Sequence, residues 1–97
     1  MTTVTTLVTG ATGFIGRRLI QPKDRALVRR PSGLPDEIIG DLMDSEIVES
    51  ACQGVERVFH CAGFAHAKQS RSNDSLHTAI NYEATRNLVW AAGQAGV

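Results

Sequence analysis

Residues 4–16 read VTTLVTGATGFIG, and the fold follows from how that stretch changes character at its middle. Val4, Leu7 and Val8 belong to a β-rich run that ends at Thr9. Glycines then fall at Gly10, Gly13 and Gly16, and Leu19 and Ile20 carry an apolar face onward. The reading is strand, tight turn, helix. Such a turn points the first backbone N–H groups of the helix over the strand end. Those groups have no partner within the helix, and the helix dipole adds partial positive charge, so the matching occupant is a phosphate.

The glycines divide the work. Gly10 can take the positive φ of a sharp turn off a strand. Gly13, without a Cβ, lets the backbone approach a pyrophosphate, and Gly16 lets the helix pack tightly on the sheet. The spacing is G-x-x-G-x-x-G rather than the common G-x-G-x-x-G. An ordinary glycine-rich turn would show the glycines alone. Here Thr9 and a strand precede them and Phe14-Ile15 leads into a helix, which is the context such a motif requires.

Beyond the turn, the pattern alternates strand and helix. Helix one is expected from about Thr12, burying Ile15, Leu19 and Ile20, until Pro22 stops it. That leaves a crossover about half a dozen residues short of a usual βαβ unit. Either the helix is trimmed or the chain lacks residues there. Strand two is read at residues 25–29, then a Pro- and Gly-punctuated loop, and a short third strand at 37–39 ending at Gly40. Asp44 suits the N-cap of a helix over 45–53, with Ile47, Val48 and Ala51 on its apolar stripe and Gly54 closing it. Strand four is read at 55–61, and a polar loop runs through Ser72. Asn73 or Asp74 caps a long helix to about Ala95, with Leu76, Ile80, Ala84, Leu88, Ala91 and Ala95 on one stripe and Gly93 and Gly96 at its end. The expected fold class is α/β: a Rossmann-type, doubly wound parallel sheet of about four strands in the order 3-2-1-4.

Composition narrows the class of function. The 97 residues suffice for one small domain, and 42% hydrophobic content excludes disorder. No apolar run approaches the roughly 20 residues of a membrane helix. The opening MTTVTT carries no basic leader, so no signal peptide is expected. Ten basic and ten acidic residues balance, so nothing steers the chain to nucleic acid or an anionic membrane. Cys52 and Cys61 form no disulfide framework, which points to the cytoplasm, and both read as small buried hydrophobes. Cys61, His60 and His66 match no zinc spacing, and no metal site is expected.

One further position bears on ligand choice. About 20 residues past the first glycine, NAD enzymes place an acid on the ribose. This chain has Arg29 and Arg30 there. Two guanidinium groups match a 2′-phosphate, which favours NADP over NAD while leaving NAD possible.

TGATGFIG resembles the cofactor loop of the extended short-chain dehydrogenase/reductases, the NAD(P)-dependent epimerase/dehydratase group. GDLMD at 40–44, VFHCAG at 58–63 and NYEATRNLVWAA at 81–92 resemble that family's later landmarks, in its order. The resemblance implies cofactor contacts from Gly10, Thr12, Gly13, Phe14, Ile15 and Gly16. It implies an adenine contact from Asp41 and Leu42, and small residues Cys61, Ala62 and Gly63 beside the ribose and nicotinamide. It also implies that Asn81 ties the long helix to the cofactor side. The family's catalytic Tyr-x-x-x-Lys is not matched: Tyr82, the one tyrosine, has Arg86 four residues on. NYEATRNL resembles the earlier structural helix, and Tyr82 is therefore read as packing. His60 is read as a packed strand residue and His66 as a solvated loop residue.

The expected function is thus the N-terminal, cofactor-binding part of an NAD(P)-dependent nucleotide-sugar epimerase, dehydratase or reductase. The resemblance implies a nucleotide-sugar substrate and a homodimer for the complete enzyme, with no catalytic residue in this stretch. A non-catalytic NAD(P)-binding regulatory or redox-sensing module would share every feature read so far, because fold alone does not choose between them.

Overall fold

The computed structural model describes residues 5–62 and 74–97; of residues 74–78 and 80 it describes the backbone alone. The expectations for Val4, Gly63, the loop with His66, the Asn73 cap and the side chains of Leu76 and Ile80 lie outside the described residues. The elements are β1 (Thr6–Thr9), α1 (Gly16–Leu19), β2 (Arg25–Val28), β3 (Glu37–Ile39), α2 (Ser45–Cys52), β4 (Arg57–His60) and α3 (Asp74–Ala95). The sheet is parallel throughout, in the order β3-β2-β1-β4. β1 sits centrally, with Val8 opposite Ala26 on one side and Phe59 on the other.

Side chains alternate across the pleat and build two apolar layers. On one face Leu7 and Leu27 pack with Val48, Ala51 and Cys52 of α2 and Leu88 and Ala91 of α3. On the other, Val8, Ala26 and Val28 gather Ala11, with Ile20, Leu34 and Phe59 at the margin. The first layer is the larger because two full helices cover it. Cys52 is fully buried there, and burial pushes its thiol pKa up, as a packed hydrophobe requires.

Local chemistry sets the element ends. The Asp44 carboxylate accepts from the Glu46 and Ile47 amides at 3.1 and 3.4 Å, an N-cap worth about 1 kcal/mol. Gly54 follows α2 with φ +73°. At the end of α3, Val97 N–H reaches the Ala92 carbonyl and Gly96, at φ +81°, donates to Gly93, a Schellman closure. Arg25 of β2 donates through Nη1 to the carbonyls of Ala51 and Gln53 at 2.9 and 2.7 Å, tying the C-terminus of α2 to the sheet.

Helix one departs from expectation. It starts at Gly16 rather than Thr12 and has 4 residues. Residues 11–15 form turns instead, beginning with Gly13 N–H to Gly10 O at 3.0 Å. The backbone is extended at Ile20 (ψ 137°), two residues before Pro22, so the helix cannot lengthen. One turn presents little surface to the sheet: Ile20 packs, whereas Ile15 and Leu19 are 61% and 42% exposed. The shortfall read in the sequence falls on α1, which is a single turn.

The loop between β2 and β3 is held by a carboxylate. Glu37 accepts from Ser32 Oγ at 2.6 Å, from the Ser32 amide at 3.1 Å and from the Leu34 amide at 3.1 Å. The Ser32 hydroxyl and amide hold the carboxyl below its ordinary 4.5, against desolvation, with lesser help from the Leu34 and Gly33 amides. The folded pKa is thus lower than the unfolded one. The contribution to order is complete above pH 4.5 and is lost as pH falls through the lowered value. Hydrogen-exchange protection of the Ser32 and Leu34 amides is expected to collapse at acid pH ahead of the core strands. Glu37→Gln should remove that acid step; an unchanged step in this variant would assign the loop's order to something else.

Candidate functional site

All four described strands end on the same side of the sheet, and there the loops after them converge. The chain leaves β1 toward β2 and later crosses back to β4, so the strand order reverses beside β1, the usual place for a ligand crevice. An open cleft of about 770 Å³ lies at this point. Its floor is the turn after β1, with Gly10, Thr12 and Gly13. Arg29 and Arg30 flank it after β2, and Asp41 and Leu42 after β3. Cys61 and Ala62 wall it after β4, and Asn81 reaches it from α3.

The turn is shaped by backbone approach. Gly10 has φ +66°, and a Cβ there would lie 2.6–2.7 Å from Ala62 N, Ala62 Cα and Cys61 C. A Cβ on Gly16 would overlap the Gly10 carbonyl, so buried Gly16 lets the start of α1 sit on the turn. Gly13 differs from both. A Cβ there would meet only Gly10 O, at 3.3 Å. Gly13 is exposed and lines the cleft.

Other sequence-predicted contacts fall outside. Phe14 is 71% exposed; Arg18 donates to its carbonyl at 2.7 Å and stacks 4.0 Å over its ring. Ile15 is exposed, Gly16 is buried beneath the turn, and none of the three lines the cleft. Gly63 is outside the described residues. With α1 reduced to one turn, little macrodipole can build up.

Tyr82 is a correction. It does not pack but is 64% exposed, on the outer side of α3 with Val89 and Trp90. Helical stripe arguments place i+3 and i+4 neighbours together, and Ala84, Leu88 and Ala91 take the buried side, which turns Tyr82 away. Arg86 pairs with Glu83 at 3.5 Å. His60, expected to be packed, is likewise corrected: it is exposed, at the end of β4.

The structure also gives roles that sequence reading missed. Asn87 of α3 donates to the Leu42 carbonyl at 2.9 Å and so fixes the loop carrying Asp41 and Leu42. Asp41 Oδ1 accepts the Met43 amide at 2.9 Å, an Asx turn that orients its carboxylate. Fully buried Thr9 joins β1 to His60 at the end of β4, and His60 in turn contacts Thr85 of α3. Asn87 follows a buried stripe at an uninformative spacing; only the paired loop reveals its use. Among the described residues no three His, Cys, Asp or Glu groups are placed to hold a metal ion.

Comparison with known proteins agrees with this architecture. The chain is 35% identical to the sterol demethylase protein B of Methylococcus capsulatus, over 97% of this chain and 32% of that protein. That alignment runs over 107 positions, more than the 97 residues of this chain, so the relative carries insertions the chain lacks. A short-chain dehydrogenase/reductase superfamily protein from Agrobacterium tumefaciens, solved with bound NAD, superposes with a TM-score of 0.81 at 33% identity, over 96% of this chain and 30% of that one. MoeE5, solved with UDP-glucose and NAD, gives 0.80 at 33% identity, over 95% and 33%. The chain thus spans about a third of the length of these relatives. The model of the NAD-dependent epimerase/dehydratase family matches residues 6–97, and the chain belongs to that family.

Proposed function

We propose that the cleft binds a nicotinamide dinucleotide and that residues 1–97 are the cofactor-binding, Rossmann-type part of an NAD(P)-dependent epimerase, dehydratase or reductase. The observation that carries this is the convergence, at the reversal of strand order, of a side-chain-free Gly13 turn with Arg29–Arg30, Asp41–Leu42 and Cys61–Ala62. The amides of the turn and Thr12 would take the pyrophosphate. Asp41 would accept from the adenine amino group, with Leu42 against the ring. Ala62 and Cys61 leave room for the nicotinamide ribose, and Asn81 closes that side. Phe14 and Ile15 stay in the proposal as residues bordering the turn, and Gly16 as its support. When bound, the nicotinamide supplies hydride exchange with a substrate carbon.

Arg29 and Arg30 support NADP as the preferred cofactor, although the similar solved proteins carry NAD. For the complete enzyme, MoeE5 with its UDP-glucose supports a nucleotide-sugar substrate, and the sterol demethylase relative stands for a different one. A homodimer and a cytoplasmic location complete the proposal, with neither membrane nor nucleic acid as partner. No helix among the described residues is long and apolar enough to cross a membrane, and formal net charge is zero.

Calorimetry with the unaltered chain and Gly13→Val tests the cofactor reading. Its Cβ meets only one backbone atom, so the variant should fold, while affinity for the dinucleotide should drop at least tenfold, about 1.4 kcal/mol. Unchanged binding by a folded variant would remove the turn from the site. The cofactor preference is tested separately. A charge-assisted contact is worth about 1.5–3 kcal/mol, so NADP should bind at least about tenfold tighter than NAD. Replacing both arginines by alanine should abolish the difference, and equal affinities in the unaltered chain would refute it.

A further inference from the structure

Thr9 Oγ lies 3.2 Å from the Cys61 amide, 3.2 Å from the Ala62 amide and 2.6 Å from His60 Nδ1. A hydroxyl has one proton and two lone pairs, and a backbone amide can only donate. The two amides therefore use both lone pairs, and the hydroxyl proton goes to Nδ1. Nδ1 must then be bare. The proton of a neutral ring sits on Nε2, where it is donated to Thr85 Oγ at 3.0 Å. The contacts thus select one of the two tautomers.

The amides so held belong to the wall of the cleft. Cys61 N–H also reaches the Thr9 carbonyl at 3.1 Å, but for the Ala62 amide the Thr9 hydroxyl is the acceptor seen. Ala62 N and Cα occupy the space where a Cβ of Gly10 would stand, so the wall and the turn are in mutual contact. A shift of Ala62 is passed directly to the turn. We infer that His60 is a positioning residue of the dinucleotide site: as the Nε2–H tautomer braced on Thr85, it takes the Thr9 proton and keeps the Thr9 oxygen on the Cys61 and Ala62 amides. The inference rests on the cofactor reading above. Desolvation acts in the same sense, lowering the His60 pKa and favouring the neutral ring.

The test uses the full chain with NAD as probe. Ring nitrogen spectra of the unaltered protein should show His60 Nδ1 bare and Nε2 protonated; the opposite tautomer overturns the inference. Thr9→Val keeps the shape of the side chain and removes the hydroxyl, and His60→Phe keeps a ring without an acceptor. Each should weaken NAD binding about five- to tenfold and speed exchange of the Ala62 amide. Thr9→Ser and His60→Asn restore a hydroxyl and an acceptor near the Nδ1 position, and both should recover affinity to within about twofold. Should buried Thr9→Val fail to fold, the two variants at exposed His60 decide alone. Binding of neither NAD nor NADP by the unaltered chain overturns the cofactor reading and this inference with it. Binding that His60→Phe leaves unchanged, or that His60→Asn does not rescue, overturns this inference alone.

Discussion

Everything in this small sheet is arranged around the close approach of three backbone segments at the end of β1. Gly10 turns with φ +66° against Cys61 and Ala62, and Gly16 rests on the Gly10 carbonyl. Neither contact leaves space for a Cβ. The consequence is a turn of close-packed main chain at the floor of the cleft. Gly13 has the opposite property: its neighbours leave it room, and the room belongs to the cleft. Two glycines are thus fixed by the fold, and one is free to be fixed by a ligand. That distinction gives substance to a spacing that, as a sequence pattern, only suggests a phosphate loop.

The long helix α3 organises the rim. Its buried Leu88 and Ala91 pack with Leu7 and Leu27 of the sheet, while side chains beside that stripe reach both walls. Asn87 holds the Leu42 carbonyl, and Thr85 braces His60. The loops after β3 and β4 are therefore referenced to one rigid element. Glu37 does the same for the loop after Arg30 through Ser32 and Leu34. Preorganisation of this kind reduces the ordering that binding would otherwise have to impose.

Much of the fold was legible in the residues because its signals are local. β-branched and apolar runs bounded by glycine marked β1 and β3, and Asp44 and Gly54 marked α2. The order β3-β2-β1-β4 followed from right-handed crossovers. Helix one was misread because Ile15, Leu19 and Ile20 have helical spacing, whereas the tight turn through residue 13 and the extended Ile20 leave one turn. Likeness of NYEATRNL to a structural helix suggests a packed Tyr82, whereas the phase of the buried stripe puts it outside. Of the proposed contacts, Gly10, Thr12, Gly13, Arg29, Arg30, Asp41, Leu42, Cys61, Ala62 and Asn81 share one cleft. The hydrogen bonds of Thr9, His60 and Asn87 link residues far apart in sequence, and no spacing rule encodes them.

The proposed place of the dinucleotide is the cleft at the ends of the parallel strands, and not the apolar outer face of α3. Titrating NADP into the isotopically labelled chain while following every backbone amide tests this most directly. Binding in the cleft should concentrate shifts at residues 10–13, 29–30, 41–42 and 61–62, with little change at Tyr82, Val89 and Trp90. Shifts confined to Tyr82, Val89 and Trp90, with the glycine turn unmoved, would contradict it.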